Sequence, residues 1–189
     1  MIEKMITLPI YLFGNIELKT VAKKVVKLYP DDMQFIKNMF ETMKNSNGIG
    51  LAANQVGVLK QILVIDISEH EDGEGVKPFV IINPVVKKQQ GSWVMEEGCL
   101  SIPGIRADIE RAEKISIKYL DELFNEHHKT FSGLLARVIL HEIDHLNGIL
   151  FIEHLTSKKR KELRSELINI KKGEVKINYS VVVSKQKLE

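Results

Sequence analysis

The stretch LLARVILHEIDHLNG, residues 134–148, decides the architecture of this 189-residue chain. It predicts a helix that ends at Asn147-Gly148, because these residue types terminate helices readily. Residues four apart lie on the same face of a helix. His141 and His145 can therefore direct their imidazoles at one metal ion, and Glu142 lies beside them, where a carboxylate could take a proton from water. The alternative at this point is an amphipathic helix with two ordinary histidines.

A catalytic metal site of this kind needs a third protein ligand and an open fourth position. The long zinc-protease motif takes its third histidine six residues downstream of the second, and this chain has Phe151 there. We interpret His154 as an ordinary histidine and His127-His128 as part of a polar turn. The lone cysteine, Cys99, lies upstream between strand-like segments. A thiolate with two imidazoles would leave the fourth position for water, although sequence separation alone says nothing about distance.

The remaining periodicity predicts an α+β fold in one domain spanning residues 1–189. A helix begins at Pro30, which has a backbone angle suited to the first turn, and an apolar stripe follows at spacings of three and four. Strands come early and the most apolar helix comes late, which favours α+β over a βαβ alternation. The other predicted elements are strands at 61–67, 79–82 and 115–119, a turn at 70–75, a charged helix at about 157–172 and a final strand at about 175–183.

Composition limits the class of protein. Hydrophobic residues make up 44% and charged residues 28%, as in an ordinary globular domain. The net charge of +2 gives no sign of specific DNA binding. No apolar run approaches the ~18 residues of a membrane span, and no targeting segment is visible. A single cysteine cannot form an internal disulfide, so we expect a cytoplasmic protein with no membrane association.

A third motif, GIGLAANQ at residues 48–55, matches the pattern G-x-G-x-x-A of dinucleotide-binding turns. That fingerprint must follow a strand and open a helix, whereas this one follows the predicted helix that begins at Pro30, so we reject it. The stretch is then a loop in which two glycines allow another backbone to approach closely. Gln55 could donate a hydrogen bond into a site, and an ordinary turn remains an alternative.

Taken together, GIGLAANQ, EGCLS (residues 97–101) and HEIDH (residues 141–145) resemble the three signature motifs of the peptide deformylase family, in the same order. The resemblance covers most of the chain and is weakest at both ends. It implies antiparallel strands packed around a central helix that carries HEIDH. It also implies metal-dependent hydrolysis of the N-formyl group from N-formylmethionyl nascent polypeptides, with release of formate.

The resemblance implies one divalent metal ion per chain. Cys99, His141 and His145 would ligate it, and Glu142 would act first as general base and then as general acid. The ligand types allow zinc, iron, cobalt or nickel, and a thiolate favours zinc on affinity. The resemblance implies iron(II), so we expect Fe²⁺, with Zn²⁺ as the alternative.

The same resemblance assigns residues around the metal. Gln55 and the backbone N–H of Leu100 would stabilise the oxyanion. Gly50 and Gly98 would offer their backbone to an extended peptide. Ile49 would help to form the methionine pocket.

Two further positions concern the surroundings of the site. Arg106 resembles the basic residue that the family has near the peptide path. Leu140 departs from the family pattern, because many members have Gln before the His-Glu pair. A helix turns about 100° per residue, so Leu140, one residue before His141, lies off the face that carries the two histidines. We therefore expect it to alter packing and not ligation.

Two other functional classes compete with this hypothesis. A metallopeptidase that cleaves internal amides would share His-Glu-x-x-His but would not need Cys99 or Gln55. A peptide-binding module with a structural metal would need a fourth protein ligand, and none is evident. A ribosome is a further possible partner, through basic residues of the C-terminal helix, and a solvated helix face is the alternative. These basic residues are Lys158, Lys159, Arg160, Lys161 and Arg164.

Overall fold

The computed structural model describes residues 5–185, which form helices and mainly antiparallel strands. The strands are β1 (Ile10–Tyr11), β2 (Gly50–Ala52), β3 (Ile62–Ile65), β4 (Phe79–Gln90), β5 (Trp93–Cys99), β6 (Ile102–Arg111), β7 (Lys114–Leu120), β8 (Glu126–Ser132) and β9 (Val181–Val182). The α-helices are α1 (Pro30–Asn45), α2 (Gly133–Leu146), α3 (Ser157–Glu162) and α4 (Arg164–Lys172).

These strands form separate sheets. The largest is antiparallel and has the order β2-β3-β4-β7-β8. Strands β5 and β6 form an antiparallel hairpin of their own, whereas β1 and β9 pair in parallel, with Ile10 opposite Val181. The combination of helices with mostly antiparallel sheet confirms the predicted α+β class.

Helices cover the five-stranded sheet on both faces, and β3 shows the consequence most clearly. Ile62 and Val64 belong to the apolar cluster that includes α1, whereas Leu63 and Ile65 belong to the cluster that includes α2. All four side chains are fully buried. A strand buried on both faces has a continuous apolar sequence, and each such side chain stabilises the fold by roughly 1.5–3 kcal/mol.

The two long helices follow the sequence prediction. Helix α1 begins at Pro30, and Asp32 accepts a hydrogen bond of 3.1 Å from the backbone N–H of Tyr29, which caps the helix. In α2, Leu140 is buried in the core cluster. Within residues 5–185, no helix has the length and apolarity needed to cross a membrane.

The prediction of a turn at His127-His128 was wrong, because both residues lie in β8. This strand is an edge of the large sheet, and most of its side chains are exposed, so its sequence lacks an apolar alternation. Its backbone pairs with β7, and the His127 ring stacks on Tyr119 with ring centroids 5.2 Å apart. Strand β4 likewise extends beyond the predicted residues 79–82, through a polar second half.

Three other predicted elements differ in extent. Residues 48–55 do not form a simple loop, because they contain β2 and a short 3-10 helix at Ala53–Val56. The predicted helix at 157–172 is interrupted at Leu163, which is half-buried against the core. Of the predicted strand at 175–183, only β9 pairs with a neighbour among the described residues. The part before it alternates half-buried and exposed side chains but has no strand beside it.

Candidate metal centre and catalytic cleft

Helix α2 and the end of β5 bring three potential metal ligands together. The ligand atoms of Cys99, His141 and His145 all lie within 4.8 Å of one another. The two imidazole rings have centroids 4.9 Å apart and are nearly perpendicular, at 77°. Cys99 Sγ lies 3.1 Å from His145 Nε2. One thiol and two imidazoles form a donor set suited to zinc, iron, cobalt or nickel, so the residues present fit a divalent transition metal.

A buried carboxylate orients the first histidine. Glu97 Oε2 lies 3.0 Å from His141 Nδ1. Because a carboxylate only accepts, Nδ1 carries the proton, which leaves Nε2 free to bind a metal. Burial alone would raise the pKa of Glu97, but hydrogen bonds from His141 and Arg111 outweigh it and lower that pKa to about 2. Glu97 is therefore ionised across the physiological pH range.

Two arginines complete the charge network around Glu97. Arg111 donates to both carboxylate oxygens, at 2.6 and 3.0 Å, and Arg137 donates to Oε1 at 2.6 Å. Arg111 also donates to Asp144 Oδ2 at 2.7 Å, which ties the β5–β6 hairpin to α2. All three charged groups of the Glu97 cluster are buried. Buried charges of this kind are stable only when they are paired, so the network fixes the hairpin relative to the helix.

The second histidine is held differently. His145 is fully buried, and its backbone carbonyl accepts a hydrogen bond from the side-chain amide of Asn54. Burial lowers the pKa of His145, and the neighbouring His141 lowers it further. The neutral imidazole is the form that binds metals. His141 differs: burial lowers its pKa, but hydrogen bonds to Cys99 and Glu97 outweigh this effect and raise it to about 10, so a metal bound at its Nε2 would displace a proton.

Glu142 has the properties of a proton carrier. Its side chain is buried, and Oε2 has no hydrogen-bond partner among the described residues. The residue lines the cleft. Burial raises the pKa of Glu142 to about 7, against the opposing effect of the positive charges of His141 and Arg111. A carboxyl group with a pKa near neutrality can both accept and return a proton at working pH.

Gly50 lets β2 approach that carboxylate closely. A Cβ atom at Gly50 would lie 2.6 Å from Glu142 Oε1 and 2.8 Å from Val138 Cγ1, which is shorter than real Cβ contacts. The sequence predicted that another backbone approaches these glycines, whereas at Gly50 the close contacts are with side chains of α2.

Gln55 directs a donor toward the ligands. Its Oε1 accepts the backbone N–H of Ala52 at 2.8 Å, which fixes the orientation of the amide. Its Nε2 then lies 3.5 Å from Cys99 Sγ and 3.4 Å from Ser101 Oγ. Leu100 lies in the turn between these two residues and lines the same cleft. Gln55 and Leu100 thus lie beside the ligand cluster within the cleft.

A cleft of about 870 Å³ contains the site. Of the residues predicted to act, all but His145 line it: Ile49, Gly50, Gln55, Gly98, Cys99, Leu100, Arg106, His141 and Glu142. Arg106 lies at the exposed rim, 3.5 Å from Glu96. His154 lies outside the site and contacts Asp144 at 2.7 Å, in agreement with its interpretation as an ordinary histidine.

Sequence reasoning missed the residues that support the ligands. Glu97 was visible only as part of EGCLS, and Arg111, Arg137 and Asn54 were not assigned. A signal existed for Arg137, because a charged residue inside the apolar run LLARVIL must find a buried partner. Tyr179, whose hydroxyl donates to the carbonyl of Leu100 at 2.8 Å, had no such signal.

Known proteins are similar to this chain in sequence and fold. The polypeptide deformylase family matches residues 7–161. A peptide deformylase of Chlorobium luteolum is 44% identical over 174 residues, which cover 92% of each chain. The structure of a peptide deformylase from Legionella pneumophila superimposes with a TM-score of 0.81 at 37% identity, covering 89% of this chain and 98% of that one. A Met-Ala-Ser-bound peptide deformylase from Acinetobacter baumannii gives a TM-score of 0.76 at 33% identity, covering 80% and 100%.

Proposed function

Since the chain belongs to the polypeptide deformylase family, we propose that its cleft removes the N-formyl group from N-formylmethionyl peptides. The observation that carries this function is the cluster of Cys99, His141 and His145 beside the buried carboxylate of Glu142. Formate release from a formyl-Met peptide tests it. Cleavage of an internal amide in the same peptide, without formate, would instead identify a metallopeptidase.

The residues of the cleft divide the reaction between them. A divalent metal held by the three ligands would lower the pKa of water and polarise a carbonyl oxygen. Glu142 takes the proton of the attacking water and gives it to the amine as the formyl C–N bond breaks. Gln55 Nε2 and the Leu100 N–H donate to the oxygen on which negative charge develops, and one such donor typically contributes ~3 kcal/mol. Formate and a free amino terminus result.

For the metal itself we propose iron(II), with zinc as the alternative. The family resemblance supports iron, and the mixed thiol and imidazole donors accept either ion. Substituting Cys99→Ala should strongly reduce metal content, whereas His154→Ala, a histidine outside the cleft, should leave it unchanged. Reconstitution without oxygen then distinguishes the metals: we expect the iron form to be the more active and to lose activity in air. Full metal content in the Cys99 variant would contradict the ligand assignment.

We propose that the substrate peptide binds as an added strand. Strands β2 and β5 each pair with only one neighbour among the described residues, and Gly50 of β2 and Gly98 of β5 both line the cleft. An unpaired strand edge is a template for an extended peptide. Ile49 gives the cleft an apolar surface for the first side chain. Formyl-Met peptides should therefore react much faster than formyl-Asp peptides, and equal rates would contradict this arrangement.

We propose that α3 docks on ribosomal RNA in the cytoplasm. Support comes from exposed basic residues on consecutive positions, Lys158 to Lys161, and from the lone thiol, which suits a reducing compartment. Charge reversal at Lys158 and Lys161 should weaken co-sedimentation with ribosomes, and wild-type binding should fall as salt rises. The same reversal at Lys87 and Lys88, exposed on β4, is the control. Equal co-sedimentation of both double variants would reject the docking.

A further inference from the structure

The C-terminal segment, defined here as residues 175–180, forms one side of the substrate cleft. Its half-buried residues Val175, Ile177 and Tyr179 alternate with exposed ones, and among the described residues it pairs with no strand. Four consecutive residues of the segment, Lys176 to Tyr179, line the cleft that contains the metal ligands. The segment also lies beyond the residues that match the family.

The segment is anchored firmly at its end. Immediately after it, β9 pairs in parallel with β1, and the N–H of Ile10 donates to the Ser180 carbonyl at 2.9 Å. The side-chain amide of Asn15 donates to the Val182 carbonyl at 2.9 Å. These bonds fix the position of Tyr179 relative to the rest of the chain.

Both ends of the chain hold the turn that follows Cys99. The Tyr179 hydroxyl donates to the Leu100 carbonyl at 2.8 Å, and the N–H of Phe13 donates to the Ser101 carbonyl at 2.8 Å. The Tyr179 ring packs against the same apolar cluster as the Leu100 side chain. Burial raises the pKa of Tyr179 to about 12, with the nearby Cys99 adding to the shift. The hydroxyl therefore keeps its proton and remains a donor at working pH.

We propose that Tyr179 is a positioning residue for deformylation, which orients the Leu100 turn and thereby the Leu100 N–H that faces the reacting oxygen. The inference rests on the function proposed above for that N–H. The Leu100 carbonyl and N–H flank one Cα atom, so a hydrogen bond to the carbonyl restricts the rotation that would turn the N–H away. Donors that stabilise developing charge act well only when they are already oriented.

The substitution Tyr179→Phe tests this, because it removes the hydroxyl and keeps the ring that packs in the apolar cluster. We expect kcat on a formyl-Met peptide to fall about three- to tenfold, the order of one lost hydrogen bond, with KM nearly unchanged. Metal content and Tm should stay near those of the wild type. Tyr29→Phe is the matched control, since Tyr29 is 53% exposed and lies outside the cleft.

The outcomes separate a positioning residue from a structural one. If kcat per bound metal stays at the level of the Tyr29 control, the inference is overturned, whether or not Tm has fallen. A rise in KM with unchanged kcat would also overturn it, because Tyr179 would then contact substrate without affecting the oxyanion. Absence of formate release by the wild-type enzyme would instead reject the proposed function, so the two failures are distinguishable.

Discussion

Replacing Glu97 by Gln should damage both stability and metal binding, although Glu97 is not one of the three candidate metal ligands. The carboxylate is buried and accepts hydrogen bonds from Arg111 and Arg137, besides contacting His141 Nδ1. An amide has the same size but no charge, so two buried guanidinium groups would lose their common counter-ion. Removing one partner of a buried ion pair typically costs about 3–5 kcal/mol.

The metal site should weaken for a separate reason. With an amide beside it, His141 loses the carboxylate that fixes its tautomer, and loss of such a partner typically reduces metal affinity about 10–100-fold. Urea unfolding of the metal-free protein measures the first effect, and competition with a metal chelator measures the second. The two assays separate the loss of charge pairing from the loss of ligand orientation.

A neighbouring residue provides the control. The Glu96 side chain is 58% exposed and lies 3.5 Å from Arg106, which is also exposed. Exposed pairs of this kind contribute about 0–1 kcal/mol, so Glu96→Gln should change the unfolding free energy very little. If Glu97→Gln behaved like Glu96→Gln in both assays, the interpretation of Glu97 as the organising charge of the site would be refuted.

Three further predictions concern single positions. Glu142→Gln should keep its metal but lose about 10²–10⁴ in kcat; metal loss parallel to activity loss, measured by metal analysis, would make Glu142 a ligand. Gly50→Ala should lower kcat by about 10², since the added Cβ must displace either β2 or the Glu142 carboxylate; a wild-type rate would refute the close approach. The pKa of Asp32 is lowered, because bonds from Lys60 and Tyr29 outweigh the burial that would raise it. The stabilisation that ionised Asp32 gives the folded protein is therefore present above the ordinary pKa of 3.8 and is lost as the pH falls below that value. The difference in urea stability between the wild type and Asp32→Asn should shrink over that pH range, and a constant difference would contradict this reasoning.

Two of the three candidate metal ligands were predictable from the sequence because their signal is local. The four-residue spacing of His141 and His145 places both side chains on one face of a helix, and α2 has the apolar periodicity of a buried helix. The assignment of Cys99 needed the resemblance of EGCLS to a family motif, because a long separation in sequence does not predict the distance between two residues in space. Among the described residues, the structure brings these three together as expected.

Long-range polar contacts were not predictable in the same way. Glu97 and Arg111 are charged residues at buried positions of their strands, because Glu97 lies on the same face of β5 as Met95 and Arg111 lies on the same face of β6 as Ile109. The strand period predicts that they face inward, but their pairing with each other and with α2 follows from how the β5–β6 hairpin packs on that helix, which no local pattern encodes. The prediction missed strand β8 for a different reason. An exposed edge strand is held by its backbone hydrogen bonds and shows no apolar alternation.

The pairing of β1 with β9 has a consequence for biosynthesis. The Ser184 hydroxyl donates to the Gly14 carbonyl across 170 positions of sequence. Strand β1 can therefore pair only after residues 181–184 have been translated. Contacts between such distant residues form late, because the closure of a long loop costs entropy before any contact repays it. The same late contacts also place Tyr179 against the cleft. We therefore expect a newly made copy to mature only after residues 181–184 have emerged from the ribosome and can pair with β1.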